Sequence, residues 1–292
     1  MLWRIGGRVA DYLLGPLEFG FMQRGLVASV LVAAICGLLG SFVVLKGLAF
    51  IGDALAHASF GGVALAFVLG ANIYLGAFVF AIATALGIGA ISQRGRVSSD
   101  TAIGVLFSGT FALGILVISR VDSYTTDLFG YLFGDVLSIT ERDLWTIGAL
   151  GVVVLALVLV FYRQLLFAAF DPTVAAASGI PARGLEYLLL TLLGVTIVTA
   201  IQAVGIVMVV ALLVTPSATA HLVTRRFHHM ILVSMAIGSL SALLGIYLSY
   251  YLDVASGAAI ILVATAFFFV TLAATSRGRP LSEKAESFSE IA

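Results

Sequence analysis

GSFVVLKGLAFIGDALAHASFGGVALAFVLG, residues 40–70, is an apolar run broken by three titratable side chains, Lys46, Asp53 and His57. A helix needs roughly 20 mostly apolar residues to cross a bilayer, and the part from 48 to 70 meets that length. Working outward, runs of the same kind fall near 25–45, 48–70, 73–91, 102–120, 143–162, 186–202, 204–223, 230–251 and 256–275. They are rich in Leu, Val, Ala, Gly and Phe, without the alternating polar positions of an outer-membrane barrel. The pattern predicts an all-α, polytopic helical membrane protein with about eight or nine transmembrane helices. The count depends on whether 186–223 is divided as a broken helix pair. The whole chain, 1–292, reads as one membrane domain with a short N-terminal segment (1–23), a polar insert (163–187) and a polar tail (276–292).

Composition excludes several functions. Hydrophobic types make up 61% of the 292 residues and charged types 10%, against about 25% charged in a soluble domain, so the solvent is lipid. Fifteen basic residues balance fifteen acidic ones, which removes the basic signature of a nucleic-acid binder. The one cysteine, Cys36, cannot form an internal disulfide, and one Cys with four His cannot build a thiolate metal site. No Gly-x-x-x-x-Gly-Lys-Ser/Thr loop is present, so nucleotide hydrolysis by that mechanism belongs to another chain. The first 23 residues, polar and interrupted by Pro16, do not read as a cleaved signal peptide, and the mature chain is expected to start at Met1.

Short cytoplasmic loops collect Lys and Arg. Arg94 and Arg96, Arg163 and Arg183, Arg225 and Arg226, and Arg277, Arg279 and Lys284 follow the third, fifth, seventh and ninth runs, which assigns those loops to the cytoplasm. Segment 122–143 then lies outside, with Asp122, Asp127, Asp135, Glu141 and Asp143 against Arg142. Such a mouth either gathers cations or is a solvated loop. Nine spans put the N-terminus outside, although Arg4, Arg8 and Arg24 argue the other way.

Asp53 is expected to be the one acid inside an apolar run, where an uncompensated carboxylate costs about 2.5–3.5 kcal/mol on insertion scales. His57 follows at i+4, on the same helical face about 6 Å away. A carboxylate oxygen and an imidazole nitrogen converging on one point suit divalent Mn, Fe or Zn. The spacing is equally that of a structural pair or of a proton relay. Small residues recur every four positions at Ala54, Ala58, Gly62, Ala66 and Gly70, and at Ser29, Ala33, Gly37 and Ser41, which marks close helix–helix seams. In the polar insert, Asp171 and Pro172 read as a helix start, and Gly179 and Pro181 as its stop. A short amphipathic helix on the basic side is a docking element. Pro216, inside an apolar run, is expected to break the 204–223 helix. His221, His228 and His229 read as interfacial.

Three stretches together resemble the membrane permeases of ATP-binding-cassette importers for manganese, zinc and iron. They are 40–70, with its Gly-Asp-Ala-x-x-His-Ala segment; AAFDPTVAAASGIPARGLEYLLL (168–190), similar to the family's cytoplasmic coupling loop; and QAVGIVMVVALLVTPSATAHLVTRR (202–226). The likeness extends over about 20–275. Two positions depart from the family pattern: Ser59, Phe60 and Gly61 stand where Leu-Pro-Gly is common, and Ala255, Ser256 and Gly257 where a proline turn is usual.

The resemblance implies an importer-permease fold similar to that of cobalamin- and siderophore-type importers, in the inner (cytoplasmic) cell membrane. It implies a transport subunit rather than an enzyme, with no cofactor of its own. ATP and magnesium would be bound by a partner ATPase, and an extracytoplasmic metal-binding protein would deliver the ion. Two permease copies, expected as a homodimer, would share a translocation path. Asp53 and His57 match the family's path or gate residues. Asp171, Pro172, Ala176, Gly179, Pro181 and Arg183 match its coupling element. Hard ligands and the absence of a thiol from any path favour manganese, with zinc or iron as alternatives. The competing readings are a gradient-driven secondary transporter with Asp53 and His57 as relay, which would show inverted repeats and more buried ionisable groups, and an intramembrane hydrolase, which lacks a nucleophile motif.

Overall fold

Backbone groups in lipid must close their hydrogen bonds within the segment, and among the described residues every regular element is helical. The computed structural model describes residues 15–93, 95, 97–119 and 139–276. After a short 3-10 turn at Gly15–Glu18 come α1 (Gly20–Leu45), α2 (Ile51–Val68), α3 (Ile73–Ser92), α4 (Ser99–Ile118) and α5 (Glu141–Val160). The second half holds α6 (Tyr162–Phe170), α7 (Pro172–Ala177), α8 (Ala182–Val204), α9 (Ile206–Val223), α10 (Phe227–Leu252) and α11 (Ser256–Ser276). Nine of the described helices are long and apolar enough to cross a membrane, all but α6 and α7. The higher of the two expected counts is therefore the observed one.

The helices pack in two groups joined by α8. In one group α1 lies against α9 and α10, and α11 covers α9 and α10 from outside. In the other α2 lies against α3 and α4, while α8 touches α3, α2 and α1. Leu190, Leu193, Ile197 and Ile201 of α8 are among the largest fully buried side chains, together with Phe42, Leu39, Ile51 and Leu55. Helices α4, α5 and α11 are the least buried.

Small residues make the seams, as the four-residue spacing predicts, except at Gly70, which lies beyond the end of α2, exposed and with φ 63. Ser29, Ala33, Gly37 and Ser41 are all buried on α1, and a Cβ at Gly37 would stand 2.9 Å from the Met235 backbone of α10. On α2, a Cβ at Gly62 would run into the Gly76 carbonyl of α3.

Two expectations change. The 163–187 insert holds more than the short helix expected in it, since α6 and the first turns of α8 flank α7. The division between the 186–202 and 204–223 runs falls at Gly205, and the further break expected at Pro216 is absent. Gly205 has φ 81 and ψ 161, a region essentially restricted to glycine, whereas α9 runs unbroken through Pro216. Pro216 is buried beside α10, where a Cβ on Gly238 would stand 3.5 Å from its ring.

The acidic mouth is covered only in part, since Asp122, Asp127 and Asp135 lie outside the described residues, as do Arg94, Arg96 and the 277–292 part of the tail. Asp143 is a helix cap: its Oδ2 accepts from the Thr140 hydroxyl at 2.6 Å and the Thr140 amide at 3.0 Å. The amide of Asp143 in turn donates to Thr140 Oγ1 at 3.3 Å, completing a capping box.

Candidate functional site

The site begins where α1 ends. The Leu48 amide donates to the Val43 carbonyl at 2.9 Å and the Gly47 amide to the Val44 carbonyl at 3.1 Å, the paired bonds of a Schellman stop. Leu48 is buried behind this turn, and α2 starts three residues later. Asp53 therefore sits in the first turn of α2 rather than in mid-span. There the unpaired amides and the positive end of the helix dipole favour a carboxylate, which lowers the insertion cost expected from sequence.

His57 lies one turn further on. Its Nε2 is 3.3 Å from Asp53 Oδ1, with the His57 side chain 22% and the Asp53 side chain 42% exposed. The two groups thus present an oxygen and a nitrogen on one accessible face of α2. Two aromatic rings of α4 pack against the imidazole. Phe107 and Phe111 approach it edge to face, with ring centres at 5.3 and 5.0 Å, and lie parallel to each other at 6.0 Å. Phe60, buried, tilts against Phe111 at 5.8 Å. His57 Nδ1 is buried and has no hydrogen-bond partner among the described residues.

No group of three or more His, Cys, Asp and Glu side chains able to hold a metal occurs among the described residues. Two ligands from one chain are fewer than the four to six that a divalent transition metal takes. The pair can receive an ion in passing, with water or a second chain completing the shell. Cys36 is fully buried in α1 and takes no part.

The sequence-predicted coupling residues gather elsewhere. Asp171 caps α7, its Oδ1 accepting from the Thr173 and Val174 amides, both at 2.9 Å. Gly179 has φ 81, and the Ile180 amide returns to the Ala175 carbonyl at 3.0 Å. Asp171, Pro172, Ala176, Gly179, Pro181 and Arg183 are all exposed. Ala175 is not part of that surface, being fully buried. His221, His228 and His229 are exposed as expected, and the last two rings touch at 4.2 Å.

Sequence reading missed a polar junction. Glu186 in α8 stands 3.9 Å from Lys46 Nζ and accepts from Gln93 Nε2 at 3.3 Å. This places the ends of α1 and α3 and the start of α8 at one level, the level at which α2 begins. The available signal was Pro181, which marks a helix starting before Glu186. At the opposite end the Arg24 guanidinium donates to the Ile139 carbonyl at 3.0 Å, joining the starts of α1 and α5. The Phe107–Phe111 pair also went unnoticed, because nothing in its own run ties it to His57.

A family model described as "ABC 3 transport family" matches residues 18–275. The chain is 45% identical over 276 residues to the manganese transport system membrane protein MntC of Listeria innocua, covering 94% of this chain and 98% of that one. It is 38% identical over 263 residues to a protein of Haemophilus influenzae named "Probable iron transport system membrane protein", covering 90% and 97%. Among solved structures, PsaBC from Streptococcus pneumoniae in complex with Fab superposes with a TM-score of 0.79 at 38% identity, covering 90% of this chain and 95% of that one.

Proposed function

The chain belongs to the ABC 3 transport family, and from that premise we propose that it is the membrane-spanning permease of an importer that moves a divalent transition-metal ion, manganese in the first place, into the cytoplasm. The observation that carries this reading is the Asp53–His57 pair, an oxygen and a nitrogen 3.3 Å apart on the accessible face of α2. Both groups serve Mn or Fe. The names of relatives, manganese in one and iron in another, agree with that chemistry, and the burial of Cys36 keeps a soft thiolate off the path.

The pair supplies too few ligands alone, so the path runs at the surface shared with a second permease copy. The chain contains no Gly-x-x-x-x-Gly-Lys-Ser/Thr loop, and a separate cytoplasmic ATPase docks on the surface formed by Asp171, Pro172, Ala176, Gly179, Pro181 and Arg183. Basic loops put that end in the cytoplasm. Because α2 starts at the same end, His57, six residues in, lies about 9 Å from the helix start at 1.5 Å per residue. The ion, delivered from outside by a metal-binding protein, meets the pair in the inner half of its passage.

The test is purification of the tagged chain from a membrane in which its neighbours are present, followed by uptake of radioactive manganese. Co-purification of an ATPase and uptake that stops when ATP is depleted are the expected results. Uptake that survives ATP depletion and collapses with a proton or sodium ionophore would instead establish the gradient-driven transporter.

A further inference from the structure

Histidines that hold metals almost always donate their second ring N–H to a carboxylate, a carbonyl or water, and losing that partner costs about 10–100-fold in metal affinity. His57 departs from this rule. Its Nε2 faces Asp53, so an ion shared with the carboxylate binds there and leaves the ring hydrogen on Nδ1. That atom is buried without a partner among the described residues, and Phe107 and Phe111 stand against the ring at 5.3 and 5.0 Å. A contact between an N–H and an aromatic face is only a weak substitute for an acceptor.

We propose that Phe107 and Phe111 are positioning residues that keep the Asp53–His57 pair a weak, passing site, by walling His57 Nδ1 off from every hydrogen-bond acceptor. The inference rests on the reading of the pair as part of the ion path. The rings do two things at once. They fix the imidazole so that Nε2 points toward Asp53, and they withhold the outer-shell bond that would turn a transit site into a storage site. A site that must release each ion gains turnover from that loss of affinity. Phe60 buttresses Phe111 from α2 itself, so the sleeve is braced on both helices.

The test installs an acceptor. Phe107→Asn and Phe111→Asn place an amide carbonyl beside Nδ1, while Phe111→Leu removes a ring without adding one. Manganese-54 binding to the purified permease–ATPase complex is measured by equilibrium dialysis without any delivering protein, and the part abolished by Asp53→Ala is assigned to the site. At least one Asn variant should bind manganese about 10-fold or more tightly and show slower uptake turnover, with no gain in affinity for Phe111→Leu. Unchanged affinity in both Asn variants, or an equal gain in the Leu variant, overturns the proposal. A measurement on the unaltered complex keeps the test open should the Asn variants fail to insert. Wild-type protein should lose its manganese on gel filtration, and stoichiometric retention that depends on Asp53 overturns the proposal. If wild type and Asp53→Ala bind and transport alike, the assignment of the path fails and the proposal fails with it. If Asp53→Ala stops uptake while the Asn variants keep wild-type affinity, only the sleeve is wrong.

Discussion

The seam of α1 with α9 and α10 and the face of α2 toward α4 both bring small residues close to a neighbouring backbone, at Gly37 and at Gly61, and differ in what their polar atoms do. In the seam, Ser41 Oγ donates to the Gly37 carbonyl at 2.8 Å, and the Ser217 and Ser234 hydroxyls meet at 2.8 Å. Ser217 also reaches the Gly37 carbonyl at 3.4 Å. On the α2 face, the imidazole of His57 keeps one buried nitrogen without a partner among the described residues, beside a carboxylate that the surroundings can reach. Most polar atoms inside the bundle are satisfied, and the buried hydroxyls of Ser29, Ser92 and Thr196 are exceptions among the described residues. His57 Nδ1 differs from those hydroxyls in belonging to a ring whose other nitrogen faces an accessible carboxylate, that of Asp53.

The largest expected effect breaks the comparison on the functional side. His57→Ala should bring manganese uptake to background while the detergent-solubilised protein keeps its elution profile. Uptake near the wild-type rate would return the pair to a structural role.

Next comes the scaffold. A Cβ at Gly40 would run into the Leu213 carbonyl and the Ser217 hydroxyl, and the carbonyl, being backbone, cannot move without displacing α9. Gly40→Val should cost about 1–3 kcal/mol or more, read as a large fall in the melting temperature of the purified protein. Gly109→Val on α4, with nothing within 4 Å, is the matched control and should leave melting unchanged within about 0.5 kcal/mol. Equal losses at both positions would erase the distinction between the two regions.

A smaller effect is expected at α7. Gly179→Val forces a β-branched residue to φ 81, at a local cost of about 1–2 kcal/mol. The change should leave the nine long helices intact but lower ATPase binding and the coupling of hydrolysis to uptake. ATP-driven uptake that survives Gly179→Val together with Ala176→Arg would place the docking surface elsewhere.

The smallest effect belongs to the junction that sequence missed. The Lys46 and Glu186 side chains are 17% and 22% exposed and 3.9 Å apart, a long, partly solvated contact. Glu186→Gln should change stability by about 1 kcal/mol or less, since the amide can still accept from Gln93. A loss several times larger would make the junction a principal tie between α1, α3 and α8.

How much of this was legible follows from the kind of signal each feature leaves. Hydrophobic runs announce themselves by length, so spans such as 256–275 agree with their helices to within a residue or so. Ends are harder, because α8 recruits Ala182 to Leu185 ahead of the apolar run and thereby brings Glu186 inside a helix. The i, i+4 spacing of Asp53 and His57 translated directly into a 3.3 Å approach. The rings of Phe107 and Phe111 reach His57 only through the packing of α4 on α2, a long-range contact that no local spacing encodes. Pro216 illustrates the opposite error. A proline inside a helix removes one amide donor, yet α9 continues past it, while the division read between 202 and 204 falls at Gly205, whose φ of 81 fixes the exact place of the break.

The role of the Asp53 carboxylate in the ion path is tested most directly by ATP-driven uptake of manganese-54 into proteoliposomes, comparing wild type with Asp53→Asn, each purified with its ATPase. The substitution keeps the shape of the side chain and removes its charge. The Asp53→Asn complex should assemble, hydrolyse ATP and take up manganese only at background. Uptake at the wild-type rate by an intact Asp53→Asn complex would contradict that role.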